Sequence, residues 1–148
     1  MNMNNHRVAQ IMLVDDDRLA LQHAKLVFNR AKITNVLHSV ESGIEALDFL
    51  LKRNGYEDAV DIDLIYCDLH MNDLMGTELL EIIQSEPKLS HIPVIMITSS
   101  ESEADIDMAS EFGAIAYIPK PLNVNKIMET ILLDHKIKIC ISCENTTD

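Results

Sequence analysis

The sequence predicts an α/β protein built on a doubly wound, five-stranded parallel sheet. Short, almost wholly apolar runs recur along the chain, and runs without polar alternation suit strands covered on both faces. Helix-length stretches with apolar residues at helical spacing lie between them. The polar residues most in need of explanation follow those runs, where doubly wound sheets place their ligand sites.

In chain order, the first strand is Ile11–Val14. A helix over Leu19–Arg30 follows, with Ala20, Ala24, Val27 and Ala31 along one side and Asp17 as its cap. A weaker strand lies at Val36–Val40, and Ser42-x-x-Glu45 reads as a capping box for a helix running to Leu51. The third strand is Leu64–Cys67; the helix after it, Met75–Ser85, carries Leu79, Ile82 and Ile83 on one face. Val94–Ile97 is the fourth strand. Ser100-x-x-Glu103 caps a helix to about Phe112, which Gly113 ends. Ile115–Ile118 is the fifth strand, and Asn123 caps a final helix carrying Val124, Ile127, Met128 and Ile131. Loops are expected to be short, and no stretch reads as an interdomain linker.

Composition narrows the function. The chain has 148 residues, 47% hydrophobic and 24% charged, with only 4 Gly and 4 Pro, which excludes a disordered or collagen-like polymer. The formal charge of -12 and the lack of a Lys/Arg cluster argue against direct nucleic-acid binding. No apolar run approaches the ~20 residues that cross a bilayer, so membrane insertion is not expected. Three cysteines are too few and too unevenly placed for a disulfide scaffold, which points to a reducing compartment, by default the cytoplasm. Residues 1–7 read as a flexible start, 8–135 as the domain, and 136–148 as a tail. In that tail Lys136–Ile141 alternates Lys and Ile, as a short strand or docking segment would, and Cys140-x-x-Cys143 lacks a second pair for metal binding.

The strand ends carry the chemistry. Asp15, Asp16 and Asp17 follow strand 1, Asp68 follows strand 3, Thr98 follows strand 4 and Lys120 follows strand 5. Adjacent carboxylates oppose ionisation and folding unless a cation compensates. Acidic helix caps explain Asp17 well and the other three acids poorly. Oxygen ligands around a hard cation describe Mg2+ better than zinc. Lys120, held between Pro119 and Pro121, places an ammonium where it can balance a phosphoryl group, and Thr98 can donate its hydroxyl to one. Each residue alone is also an ordinary polar strand end; their convergence is what argues for a site.

Four segments carry a family resemblance: "IMLVDDD" at 11–17, "LIYCDLHMNDLMG" at 64–76, "VIMITSS" at 94–100 and "AYIPKP" at 116–121. Together the chain resembles the receiver domains of bacterial two-component response regulators, of the kind that consist of a receiver alone. The resemblance implies a flavodoxin-like sheet in the order 2-1-3-4-5 with five helices. It implies phosphorylation on Asp68, and a Mg2+ site, where Mn2+ can substitute, from Asp15, Asp16, Asp68 and the backbone carbonyl of His70. Asp16 would ligate directly and Asp15 largely through water. It further implies phosphoryl contacts from Thr98 and Lys120, a switch through Thr98 and Tyr117, a cis bond before Pro121, and tuning of dephosphorylation by His70 and Ser100. The partners implied are a sensor histidine kinase or histidine phosphotransfer protein and a protein target at the face of helix 4, strand 5 and helix 5. Such a domain catalyses its own phosphorylation by a phosphodonor and slow hydrolysis of the acyl phosphate.

Two positions depart from the family pattern. Asn72 stands where proline is usual, which is expected to loosen the loop after strand 3, and Ser99 stands where a small residue such as alanine is typical. Two other functions compete: a receiver-shaped adaptor that switches without phosphorylation, and a haloacid-dehalogenase-like phosphatase. The phosphatase would use the Asp15-x-Asp17 spacing, but the Thr that should follow is absent.

Overall fold

The computed structural model describes residues 8–99 and 102–131. Among these described residues ten elements alternate: β1 (Ile11–Val14), α1 (Arg18–Arg30), β2 (Leu37–Val40), α2 (Gly43–Leu50), β3 (Leu64–Asp68), α3 (Gly76–Ser85), β4 (Val94–Thr98), α4 (Glu103–Glu111), β5 (Ala116–Pro119) and α5 (Val124–Ile131). All strand pairs are parallel, in the order β2-β1-β3-β4-β5. The three inner strands are buried at every residue, as their unbroken apolar runs predict, whereas edge strand β2 is half-buried.

The two-residue strand period sorts the core into two layers. Met12, Val14, Ile65, Cys67 and Met96 pack toward Leu47 and Leu50 of α2, Leu80 and Ile83 of α3, and Ala109 of α4. Ile11, Leu13, Tyr66, Ile95 and Ile97 pack on the other face with α1 and α5. There the Phe28 and Tyr66 rings meet edge to face at 5.3 Å, and the buried Tyr66 hydroxyl bonds Thr130 Oγ1 at 2.9 Å, fastening α5 to the central strand.

Several helix details differ from expectation. The buried stripe of α1 is Leu21, Ala24, Val27 and Phe28, with Ala20 only half-buried and Leu19 74% exposed. On α3, Leu80 is buried and Ile82 is 37% exposed, because the layer above the sheet meets Leu79, Leu80 and Ile83. The cap of α4 is Ser102, whose Oγ accepts Asp105 N–H, not Ser100. Gly113, at φ 103°, follows the end of that helix as expected. Ser42 caps α2 through Glu45 N–H at 3.0 Å, but the Glu45 carboxylate returns to Glu41 N–H, one residue before the capping-box position. The α2–β3 connection, residues 51–63, is longer than expected. It folds back over the domain, with the Tyr56 ring tilted at 41° against Phe49, centroids 5.1 Å apart, and its hydroxyl donating to Glu45.

Candidate functional site

Strand order reverses between β1 and β3, so the crevice beyond their carboxyl ends opens beside Asp15, Asp16 and Asp68. One carboxylate oxygen from each of these three lies within 4.8 Å of the others. Asp15 and Asp68 are buried and Asp16 is half-buried. Lys120 reaches in from the far end of β5, with Nζ 2.9 Å from Asp15 Oδ2 and 3.6 Å from Asp68 Oδ1. Residues 105 positions apart in the chain thus form one ion pair.

Each carboxylate is aimed by its loop. Asp15 Oδ1 accepts Asp17 N–H at 2.9 Å while Oδ2 takes the lysine, so both its oxygens are engaged. Asp16 Oδ2 accepts Asn72 N–H at 2.9 Å, which fixes how that carboxylate is turned. Asp17 turns away: its side chain caps α1 through Leu19 N–H, so the second acid of a phosphatase Asp-x-Asp pair is occupied elsewhere. Asp68 closes β3, and Gly76 at the start of α3 packs against its backbone so tightly that a β-carbon there would lie 2.3 Å from Asp68 O.

The electrostatics follow from this crowding. Burial, then the neighbouring Asp15, push the Asp68 carboxyl up to about 6; Lys120 offsets part of that rise and Asp16 adds to it. Burial alone would lower the Lys120 ammonium, but the hydrogen bond and charge of Asp15 and the charge of Asp68 outweigh it and hold Lys120 above its usual value. Three acids facing one base leave a surplus of negative charge, and all the acidic donors are oxygens. The set fits a hard divalent cation.

The other expected residues fall around this centre. Thr98 ends β4 fully buried, and its carbonyl accepts Lys120 N–H at 2.8 Å. The Lys120–Pro121 bond is cis. His70 is exposed beside Asp68, with Nε2 3.5 Å from Asp105 Oδ2 on α4. Tyr117 is half-buried on β5 and lines a cleft with Ile106 and Ala109 of α4. Ser100, Cys140, Cys143 and the 136–141 segment lie outside the described residues.

Sequence reasoning missed two contributors. Asn72 was expected only to loosen its loop, but its backbone N–H, which proline would lack, holds Asp16. Asp73, the next residue, bonds the first turn of α2, from which it is 30 residues away in sequence, and no local pattern announces that contact.

A family model described as "Response regulator receiver domain" matches residues 11–132. The chain belongs to that family. This receiver domain is 28% identical to response regulator Rcp1 of Synechocystis sp. over 121 residues, 82% of each chain. It resembles the solved bacteriophytochrome response regulator RtBRR at 30% identity and a TM-score of 0.78, over 86% of this chain and 78% of that one. The phosphorylated cyanobacterial phytochrome response regulator RcpA matches at 27% identity and a TM-score of 0.74, over 84% of this chain and 89% of its own. The Mn2+-bound form of Rcp1 gives 26% and 0.75, over 91% of this chain and 99% of that one. Among the described residues no helix of this receiver is long and apolar enough to cross a membrane.

Proposed function

We propose that this receiver takes a phosphoryl group on Asp68 from the phosphohistidine of a sensor kinase or a histidine phosphotransfer protein. The observation that carries this reading is a buried carboxylate at the end of β3, facing a lysine at 3.6 Å within a cluster of acids. An Asp68 oxygen attacks phosphorus in line, the P–N bond breaks, and the imidazole leaves with its electron pair. Lys120 balances charge on the phosphoryl oxygens, and the Thr98 hydroxyl donates to one of them. Asp15, Asp16, Asp68 and the His70 carbonyl would hold Mg2+, or Mn2+ in its place, which when bound offsets negative charge on the transferring group. Support for a divalent cation and for phosphorylation comes from relatives described as Mn2+-bound and as phosphorylated.

The phosphorylated state is read out by a partner protein. Thr98 and Tyr117 relay the change to the face of α4, β5 and α5, where Ile106, Met108 and Ile115 are exposed. His70, and Ser100 with it, set how long the acyl phosphate survives. The domain spans 8–135 and acts in the cytoplasm, with neither nucleic-acid nor membrane binding of its own.

Intact mass after treatment with acetyl phosphate and Mg2+ tests the reading. A gain of roughly 80 Da is expected in the wild-type chain and none in Asp68→Asn. No gain from acetyl phosphate or from phosphorylated histidine kinases would leave an adaptor that switches without phosphorylation.

A further inference from the structure

The loop between β3 and α3 is anchored by groups outside the proposed chemistry. Asp73 reaches to the start of α2, where Oδ1 accepts Gly43 N–H at 3.2 Å and Oδ2 accepts Ile44 N–H at 3.0 Å. The Ser42 side chain and the Leu74 backbone bond the same carboxylate. Leu74 also packs closely on Gly43: a β-carbon on that glycine would sit 2.8 Å from Leu74 Cβ. One residue before Asp73, the Asn72 N–H holds Asp16 Oδ2 at 2.9 Å.

Helix α2 has a cap of its own in Ser42, whose Oγ accepts Glu45 N–H. An acid from another loop that takes two more N–H groups of the same turn ties that loop down as much as it caps the helix. Asn72 and Asp73 are joined by one planar peptide unit, so releasing Asp73 frees the soft dihedrals beside the N–H that aims Asp16.

We propose that Asp73 is a positioning residue of the phosphoacceptor site. Its clamp on α2 holds the Asn72 N–H against Asp16 and so fixes the direction in which Asp16 faces Asp15 and Asp68. This inference rests on reading the acidic cluster as a divalent-cation site. Asp73 itself touches neither the cation nor the phosphoryl group; it acts through Asn72 and Asp16, as outer partners orient metal ligands.

The test compares wild type, Asp73→Ala and Asp73→Asn by amide hydrogen exchange without metal and by Mg2+ titration. In Asp73→Ala, exchange is expected to quicken at Asn72 as well as at Gly43 and Ile44, and the Mg2+ Kd to rise on the order of tenfold. Asp73→Asn keeps one acceptor oxygen, should fold wherever the alanine variant fails to, and should fall between the two on both readouts. Faster exchange confined to Gly43 and Ile44, with Asn72 and the Kd at wild-type values, would reduce Asp73 to a helix cap and overturn the proposal. A wild-type chain that binds no Mg2+ would instead overturn the cation reading, and Asn72 exchange would still decide whether the clamp exists.

Discussion

Replacing Asp68 by Asn should stabilise the metal-free protein at neutral pH, although it removes the proposed phosphoacceptor. Ionised Asp68 is buried, crowded by Asp15 and Asp16, and only partly compensated by Lys120, so its carboxyl rises from 3.8 to about 6. The folded state therefore favours protonated Asp68. The fold is free of this penalty below pH 3.8, and stability falls as pH rises through the window up to about 6. At about 1.4 kcal/mol per pH unit the full loss is at most about 3 kcal/mol. Exposed His70 and Ser99 flank the site, so solvent screens part of the repulsion, and a loss of between about 1 and 2 kcal/mol is the working figure.

Asparagine keeps the shape and has no charge to bury, and Lys120 retains its 2.9 Å bond to Asp15. The assay is urea unfolding in EDTA at pH 5 and pH 7.5. Comparing the two proteins at each pH cancels the titration of groups that do not interact with Asp68. Asp68→Asn should exceed wild type by about 1 to 2 kcal/mol at pH 7.5 and by about half as much at pH 5. Saturating Mg2+ should close the gap by stabilising wild type more. Equal stabilities in EDTA at both pH values, or a more stable wild type at pH 7.5, would refute the reasoning. They would mean that attraction to Lys120 matches or outweighs burial and repulsion.

Gly76→Ala should lower stability by about 1 to 3 kcal/mol, read as a fall in the urea midpoint. The new methyl would lie 2.3 Å from Asp68 O and 2.9 Å from Leu69 Cα, backbone atoms that cannot give way, and the gain in helix propensity of at most about 1 kcal/mol is smaller. Lys120→Gln should raise the Asp68 pKa above about 6, because Lys120 is the group that lowers it; carbon-13 NMR of the carboxyl in EDTA measures this, and an unchanged value would mean that the lysine charge is not felt at Asp68.

The strands were legible because a parallel sheet buried on both faces leaves little polar alternation. Leu64–Cys67 and Val94–Ile97 were each read to within one residue of β3 and β4. Helix faces were less so. Ala20, Ala24, Val27 and Ala31 form a tidy stripe, yet the larger Leu21 and Phe28 set how α1 sits, with its stripe turned accordingly. The cap of α4 was misread: Ser100-x-x-Glu103 fits the capping-box pattern, yet Ser102, three positions before Asp105, is the residue that caps the helix. The strand-end acids and Lys120 could be picked out because charge directly after a buried strand is costly without a partner. Asn72 could not, since it acts through a backbone N–H that almost any residue supplies, nor could Asp73, whose partners lie in another helix.

The ion pair that spans the chain from Asp15 to Lys120 also has a meaning in time. Ribosomes add about 5 to 20 residues per second, so Lys120 is made roughly 3 to 10 s after Asp68. A nascent or prematurely terminated chain presents all three acids without the base that pairs with them. It also lacks β5, which pairs with β4. If Asp68 is the phosphoacceptor proposed above, incomplete products that end before Lys120 should be poor phosphoryl acceptors.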